Sequence, residues 1–168
     1  MIDKKNLIVE FSSVLSNFLL ISNEKDAEIS SRLGISVGEF RCLYLFLNKS
    51  EYGIKDLIQG LRVSSSRLSR ILDGLEEKGI VSRSIDLKDH RNFNIALTQK
   101  GIEIIKEIKV ALLENCQLSL EGISVEAIET TIRVLRQLLN SYLLQSQVIK
   151  SGSLQVIANT LCDGGKKL

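Results

Sequence analysis

The sequence predicts a mainly α fold with one small β-hairpin, and three observations carry that expectation. Proline is absent from all 168 residues, so no position is barred from a helix interior by a missing amide hydrogen. Leu, Glu, Lys and Arg, which lose little rotamer freedom in a helix, are abundant, while only 5% of residues are aromatic. Apolar residues recur every three or four positions along most of the chain and every second position in two short stretches only.

Composition narrows the function classes. Hydrophobic residues at 44% and charged residues at 25% match a soluble globular domain with a real core and argue against disorder over most of the length. One histidine, His90, and three cysteines without CxxC spacing cannot assemble a zinc site, so no metal or other cofactor is expected. Met1 to Glu10 carries Asp3, Lys4, Lys5 and Glu10 where a secretory signal needs an apolar region, and an odd cysteine count argues against a disulfide framework. The expectation is a cytoplasmic protein. No apolar run approaches the roughly 20 residues that span a bilayer, so no membrane is expected as a partner. An enzyme is not expected either, because no paired carboxylates, nucleophile–base set or phosphate-cradling loop stands out; Gly164-Gly165 lacks the strand and helix context of such a loop. A net charge of +2 identifies no nucleic-acid binder by itself, so any such reading rests on where the charges sit.

Leu7, Phe11, Val14, Phe18 and Ile21 form one stripe and predict a first helix, followed by a polar stretch from Asn23 to Arg32. Ser36 and Glu39 form an S-x-x-E capping signature for a second helix with Phe40, Leu43, Tyr44 and Leu47 on one face, ending near Lys49. Glu51-Tyr52-Gly53 breaks the pattern. Ile54, Leu57, Ile58 and Leu61 resume it, and after a turn of about three residues Ser64 caps a helix with Leu68, Ile71, Leu72 and Leu75 inward. Gly79 suits the residue after that helix, where a positive φ is cheapest without a Cβ. The period then becomes two: Val81, Arg83 and Ile85 alternate with serines, and Phe93, Ile95 and Leu97 alternate with Asn92, Asn94 and Ala96, predicting a two-stranded hairpin. Its connection, Asp86 to Arg91, is charged at nearly every position and should project into solvent. Thr98 caps a helix through Ile102, Ile105, Ile108 and Leu112, interrupted near Glu121-Gly122. Ser124 then caps a long last helix, in which Val125, Ile128, Ile132, Leu135, Leu139 and Tyr142 keep the spacing of a seam between helices. Beyond Lys150 a short amphipathic piece, Leu154 to Leu161, with a frayed end is expected.

Helix, short turn, helix, then a hairpin with a long basic connection is the order of a winged helix-turn-helix. The second helix of such a pair fits a major groove, and the connection can reach the adjacent minor groove. From Arg62 to Leu72 the charges are Arg62, Arg67 and Arg70 without one acid, whereas Asp73, Glu76 and Glu77 follow. That asymmetry would put cations where phosphates lie. Ser64, Ser65, Ser66 and Ser69, interleaved with Arg67 and Arg70, let a DNA backbone approach closely and offer hydroxyls to phosphates and base edges. An ordinary solvated helix face is the competing reading.

At these residues the sequence resembles the MarR family of dimeric winged-helix regulators. The stretch from Val63 to Val81 looks like the recognition helix and its exit, and Asp89-His90-Arg91 followed by Ile95-Ala96-Leu97-Thr98 is similar to the wing signature D-x-R-x-x-x-V-x-L-T, with Ile for Val. The resemblance covers about Leu7 to Tyr142. It implies a homodimer with residues 1–35 and 99–150 as dimerisation helices, 36–98 as the DNA-binding lobe and 151–168 as an appended tail. It implies a wing in which Arg91 enters the minor groove and Asp89 orients it, with His90 near phosphates and Arg83 and Lys88 as further DNA-binding candidates. The function so implied is a repressor that binds an inverted repeat in double-stranded DNA and is released by a small-molecule effector or by oxidation. Cys42, beside Arg41, is the candidate thiol sensor, although free cysteines are mostly small buried hydrophobes. The alternative function is a winged-helix protein-interaction module, whose contact surface should be poorer in charge than this helix and connection.

Overall fold

A computed structural model describes residues 3–85 and 93–149 of the chain. The expected solvent-exposed connection from Asp86 to Arg91 and the expected amphipathic piece beyond Lys150 lie outside these described residues. Helix α1 runs Lys4–Arg32, with Asp3 accepting from the Lys5 amide at 3.1 Å. It continues through the polar stretch from Asn23 to Arg32. Asn23 to Arg32 contains no glycine or proline, a Lys25–Glu28 pair bridges one turn at 2.8 Å, and only Ile29 and Ser30 are buried, so the stretch is a polar-faced helix. Gly34, at φ +66°, turns the chain into α2, Val37–Leu45. Ser36 and Glu39 make the expected reciprocal capping box. The helix ends at Leu45 instead of near Lys49 because the last apolar residues, Phe46 and Leu47, close with shorter bonds to the carbonyls of Leu43 and Tyr44.

Glu51–Gly53, expected as a break, is strand β1. It pairs antiparallel with the later strand β3, Phe93–Leu97, which also pairs with β2, Val81–Ile85, so the expected two-stranded hairpin is part of a three-stranded sheet of order β1-β3-β2. Tyr52 opposes Ile95, meets the Phe46 ring edge-on at 5.0 Å and donates its hydroxyl to the Leu45 carbonyl at 2.8 Å. Helices α3, Ile54–Leu61, and α4, Ser65–Glu77, follow, joined through Arg62 in the left-handed region. Helix α5 spans Gln99–Leu120 from its Thr98 cap, and Ser124 caps α6, Val125–Ile149, accepting from Ala127 at 3.2 Å.

The core gathers Phe40, Leu43, Leu57, Leu68, Leu72, Leu75, Ile80, Ile95 and Ile108, supplied by α2, α3, α4, the sheet and the first half of α5. Outside it, α1, late α5 and α6 hold large apolar side chains in solvent. Val14 is 62% exposed, Phe18 64%, Leu118 73% and Val125 72%. A folded monomer rarely leaves so many large apolar side chains uncovered. Among the described residues no helix is long and apolar enough to cross a membrane.

Candidate nucleic-acid interface

Helix α4 buries one side and offers the other. Leu68, Leu72 and Leu75 point into the core, which leaves Ser65, Ser66, Arg67, Ser69 and Arg70 exposed over its first two turns. Ser64 caps the helix by accepting the Arg67 amide at 3.3 Å, and its hydroxyl lies 3.1 Å from that of Ser66. The positive end of the helix dipole lies at this N-terminus among exposed Ser65, Ser66 and Arg67, an arrangement that favours an anionic oxygen. Ser66, Ser69 and Arg70 share a face at spacings of three and four. The structure therefore brings five of the residues expected at the site onto one helix and a sixth, Ser64, to its N-cap, with exposed Arg62 in the turn just before it.

Arg83 is not in that row. It reaches back from β2 to pair with Asp73 through Nη2 and with Glu76 through Nε at 3.2 Å. Lys88, Asp89, His90 and Arg91 lie outside the described residues.

The rear of α4 is latched to α2 by groups that local sequence could not connect. Glu39 is buried; one carboxylate oxygen accepts the Ser36 amide at 2.6 Å and the other accepts the Lys78 ammonium at 2.7 Å. Burial raises the Glu39 carboxyl, but the bonds from Lys78 and Ser36 outweigh it, so the group titrates below the ordinary carboxylate range. Gly74 permits the approach, because a Cβ there would meet Glu39 Oε1 at 2.2 Å. The capping signature flags Glu39. Nothing local flags Lys78, 39 positions away.

Cys42 is fully buried in the core, where desolvation, reinforced by Glu39, pushes its thiol up to about 12. A thiol held protonated and shut from solvent is a poor nucleophile, which sets its placement against the sensor role and with the small-hydrophobe reading. Cys116 is exposed. It lines a cavity of about 590 Å³ between α1, α2, α3 and α5. Phe18, Ile21, Tyr44, Leu61 and Leu112 give this cavity apolar walls, and Lys25, Asp26 and Arg41 give it charge. Arg41 donates to Asn23 at 2.7 Å and stands 3.9 Å from Asp26, whose carboxyl burial raises despite that guanidinium. No cluster of metal-ligating side chains occurs among the described residues.

Two helices meeting through a three-residue turn, followed by a small antiparallel sheet, define a winged-helix protein. Residues 26–108 match the family described as Transcriptional regulator SarA/Rot. Solved structures agree on the fold. A MarR family protein from Bacillus stearothermophilus superposes with a TM-score of 0.74 at 23% identity, covering 84% of this chain and 99% of that one. A MarR family regulator from Silicibacter pomeroyi gives 0.67 at 23%, covering 84% and 90%. A mutant of S. aureus MepR, bound to an oligodeoxyribonucleotide, gives 0.54 at 24%, covering 79% and 97%. Over residues 26–108 the chain is similar to the SarA/Rot transcriptional regulators, and its fold is that of the MarR family structures. That class regulates transcription and is not enzymatic.

Proposed function

We propose that the chain is a homodimeric, sequence-specific repressor of the cytoplasm that binds an inverted repeat in double-stranded DNA through the exposed face of α4. The observation that carries this reading is the acid-free row of hydroxyls and guanidinium groups beside the capped N-terminus of α4. Residues 36–98 serve as the DNA-binding lobe, and 1–35 with 99–150 as dimerisation helices that cover one another's apolar faces. The DNA complex of S. aureus MepR, a protein of the same fold, supports the docking. Ser64 to Arg70 meet the major groove. Lys88, His90 and Arg91 meet the flanking backbone and minor groove, with Asp89 orienting Arg91. The cavity between α1, α2, α3 and α5 is the place for a small effector that relieves repression.

The test is a titration of the purified protein onto the duplex upstream of its own gene and onto a shuffled duplex, each at two salt concentrations. Binding should favour the upstream duplex and weaken with salt by roughly 0.9 log units per phosphate contact per log unit of salt. A footprint should show two half-sites roughly 34 Å apart. No binding at low salt refutes the DNA reading, and equal affinity for both duplexes refutes specificity. Sedimentation should show a dimer at micromolar concentration; a stable folded monomer refutes the dimer.

A further inference from the structure

Resting on the DNA-binding reading of α4, we propose that Arg83 is a positioning residue, which sets the β2–β3 hairpin against α4 and does not itself contact DNA. Asp73 and Glu76 stand three positions apart on α4 and present both carboxylates to one guanidinium. Arg83 occupies the middle of β2, opposite the fully buried Ile95 of β3, so this ion-paired cluster ties the centre of the hairpin to the helix. Among the described residues it is the only ion-paired tie between β2 and α4.

Two features separate Arg83 from Arg67 and Arg70. Its side chain is only 27% exposed, and its Nε has no solvent contact and no hydrogen-bond acceptor in line, although the Glu76 carboxylate lies 3.2 Å away. The cluster of one guanidinium and two carboxylates is also net negative, so a phosphate approaching it meets repulsion. Arg83 is thereby spent on the protein. Its effect on DNA passes through geometry: the hairpin and α4 must present their contacts at one mutual spacing, and the cluster holds that spacing.

The discriminating variant is Asp73→Asn with Glu76→Gln. Both acids are about half exposed, so the fold tolerates the change and the variant should melt with the wild type. If Arg83 were a phosphate contact restrained by its acids, neutralising them would strengthen binding. Positioning requires the opposite sign. The probes are a duplex that the wild-type protein selects from a randomised pool and its shuffled counterpart. The expected result is a loss of about tenfold or more on the selected duplex, the equivalent of one base-specific contact, with affinity for the shuffled duplex unchanged or raised. Unchanged or tighter binding of the selected duplex overturns the proposal. If the wild type selects no duplex, the DNA reading is what has failed, and the cluster is judged on the free protein by the Arg83 Nε–H resonance. A resonance ordered in the wild type and motionally averaged in the variant supports the clamp, and one averaged in both overturns it.

Discussion

Replacing Glu39 with Gln removes the charge of the α2–α4 latch and little else, because Gln also serves at the third position of a capping box. An amide oxygen can still accept the Ser36 amide, now at 2.6 Å from the carboxylate. The other end of the side chain then presents an amide donor to the Lys78 ammonium, donor against donor, in place of the 2.7 Å charge-assisted bond. Such bonds contribute about 1.5 to 3 kcal/mol, and breaking a wholly buried pair costs about 3 to 5. The Glu39 side chain is 6% exposed but that of Lys78 is 38%, so the ammonium can turn to water and the loss falls near the lower figure, about 2 kcal/mol. Glu39→Ala also opens the capping box and should cost about 1 kcal/mol more. Lys78→Met, combined with Glu39→Gln, should cost clearly less than the sum of the two single changes, since each removes the same bond. Urea unfolding at one fixed protein concentration reads all four values, a precaution that an oligomer requires. Strict additivity would refute the latch. Acid titration gives a second check: the folded state holds the Glu39 carboxyl below its ordinary range, so its stabilisation is complete above that range and fades as pH falls through the lowered folded value. Glu39→Gln should flatten this acid limb of the stability profile.

Gly74→Ala should destabilise, although Ala favours a helix interior over Gly by about 1 kcal/mol, because its Cβ would displace the Glu39 carboxylate from Lys78; a gain in melting temperature would contradict the close approach. Gly101→Ala should cost about 1 to 3 kcal/mol for overpacking, since the new Cβ would meet the Ile80 carbonyl oxygen at 2.1 Å, a backbone atom that cannot turn away; wild-type unfolding would count against that contact. Arg70→Ala should weaken binding to the upstream duplex by about 1 to 3 kcal/mol with loss of base preference. An equal loss on shuffled DNA would make Arg70 a phosphate contact. Peroxide should affect DNA binding equally in the wild type and in Cys42→Ser, because the buried thiol stays protonated; protection by the serine would restore Cys42 as a sensor.

What was legible in the sequence was what a few neighbouring residues decide. Ser36, Ser64, Thr98 and Ser124 all cap helices, since a cap closes within three positions, and Gly79 adopts its positive φ for an equally local reason. The α4 face was legible as well: a helix that buries Leu68, Leu72 and Leu75 must expose Ser65, Ser66, Ser69 and Arg70. Strand β1 was not, because three residues carry no readable alternation and Tyr52 is held by the end of α2, through Phe46 and the Leu45 carbonyl, and by Ile95 of β3. The continuation of α1 through Asn23 to Arg32 was not legible either, because an exposed helix and a loop share a composition, and only the absence of Gly and Pro in that stretch separates them. The pairs that orient α4 were the least legible. Glu39 finds Lys78 across 39 positions, and Arg83 finds Asp73 and Glu76 only once β2 has folded back along the helix. Charge asymmetry along α4 set its acidic second half apart from the cations of its first. In the folded chain the acids of that half occupy the cation of β2, so the same residues that clear the first two turns of negative charge also fasten the hairpin beside them.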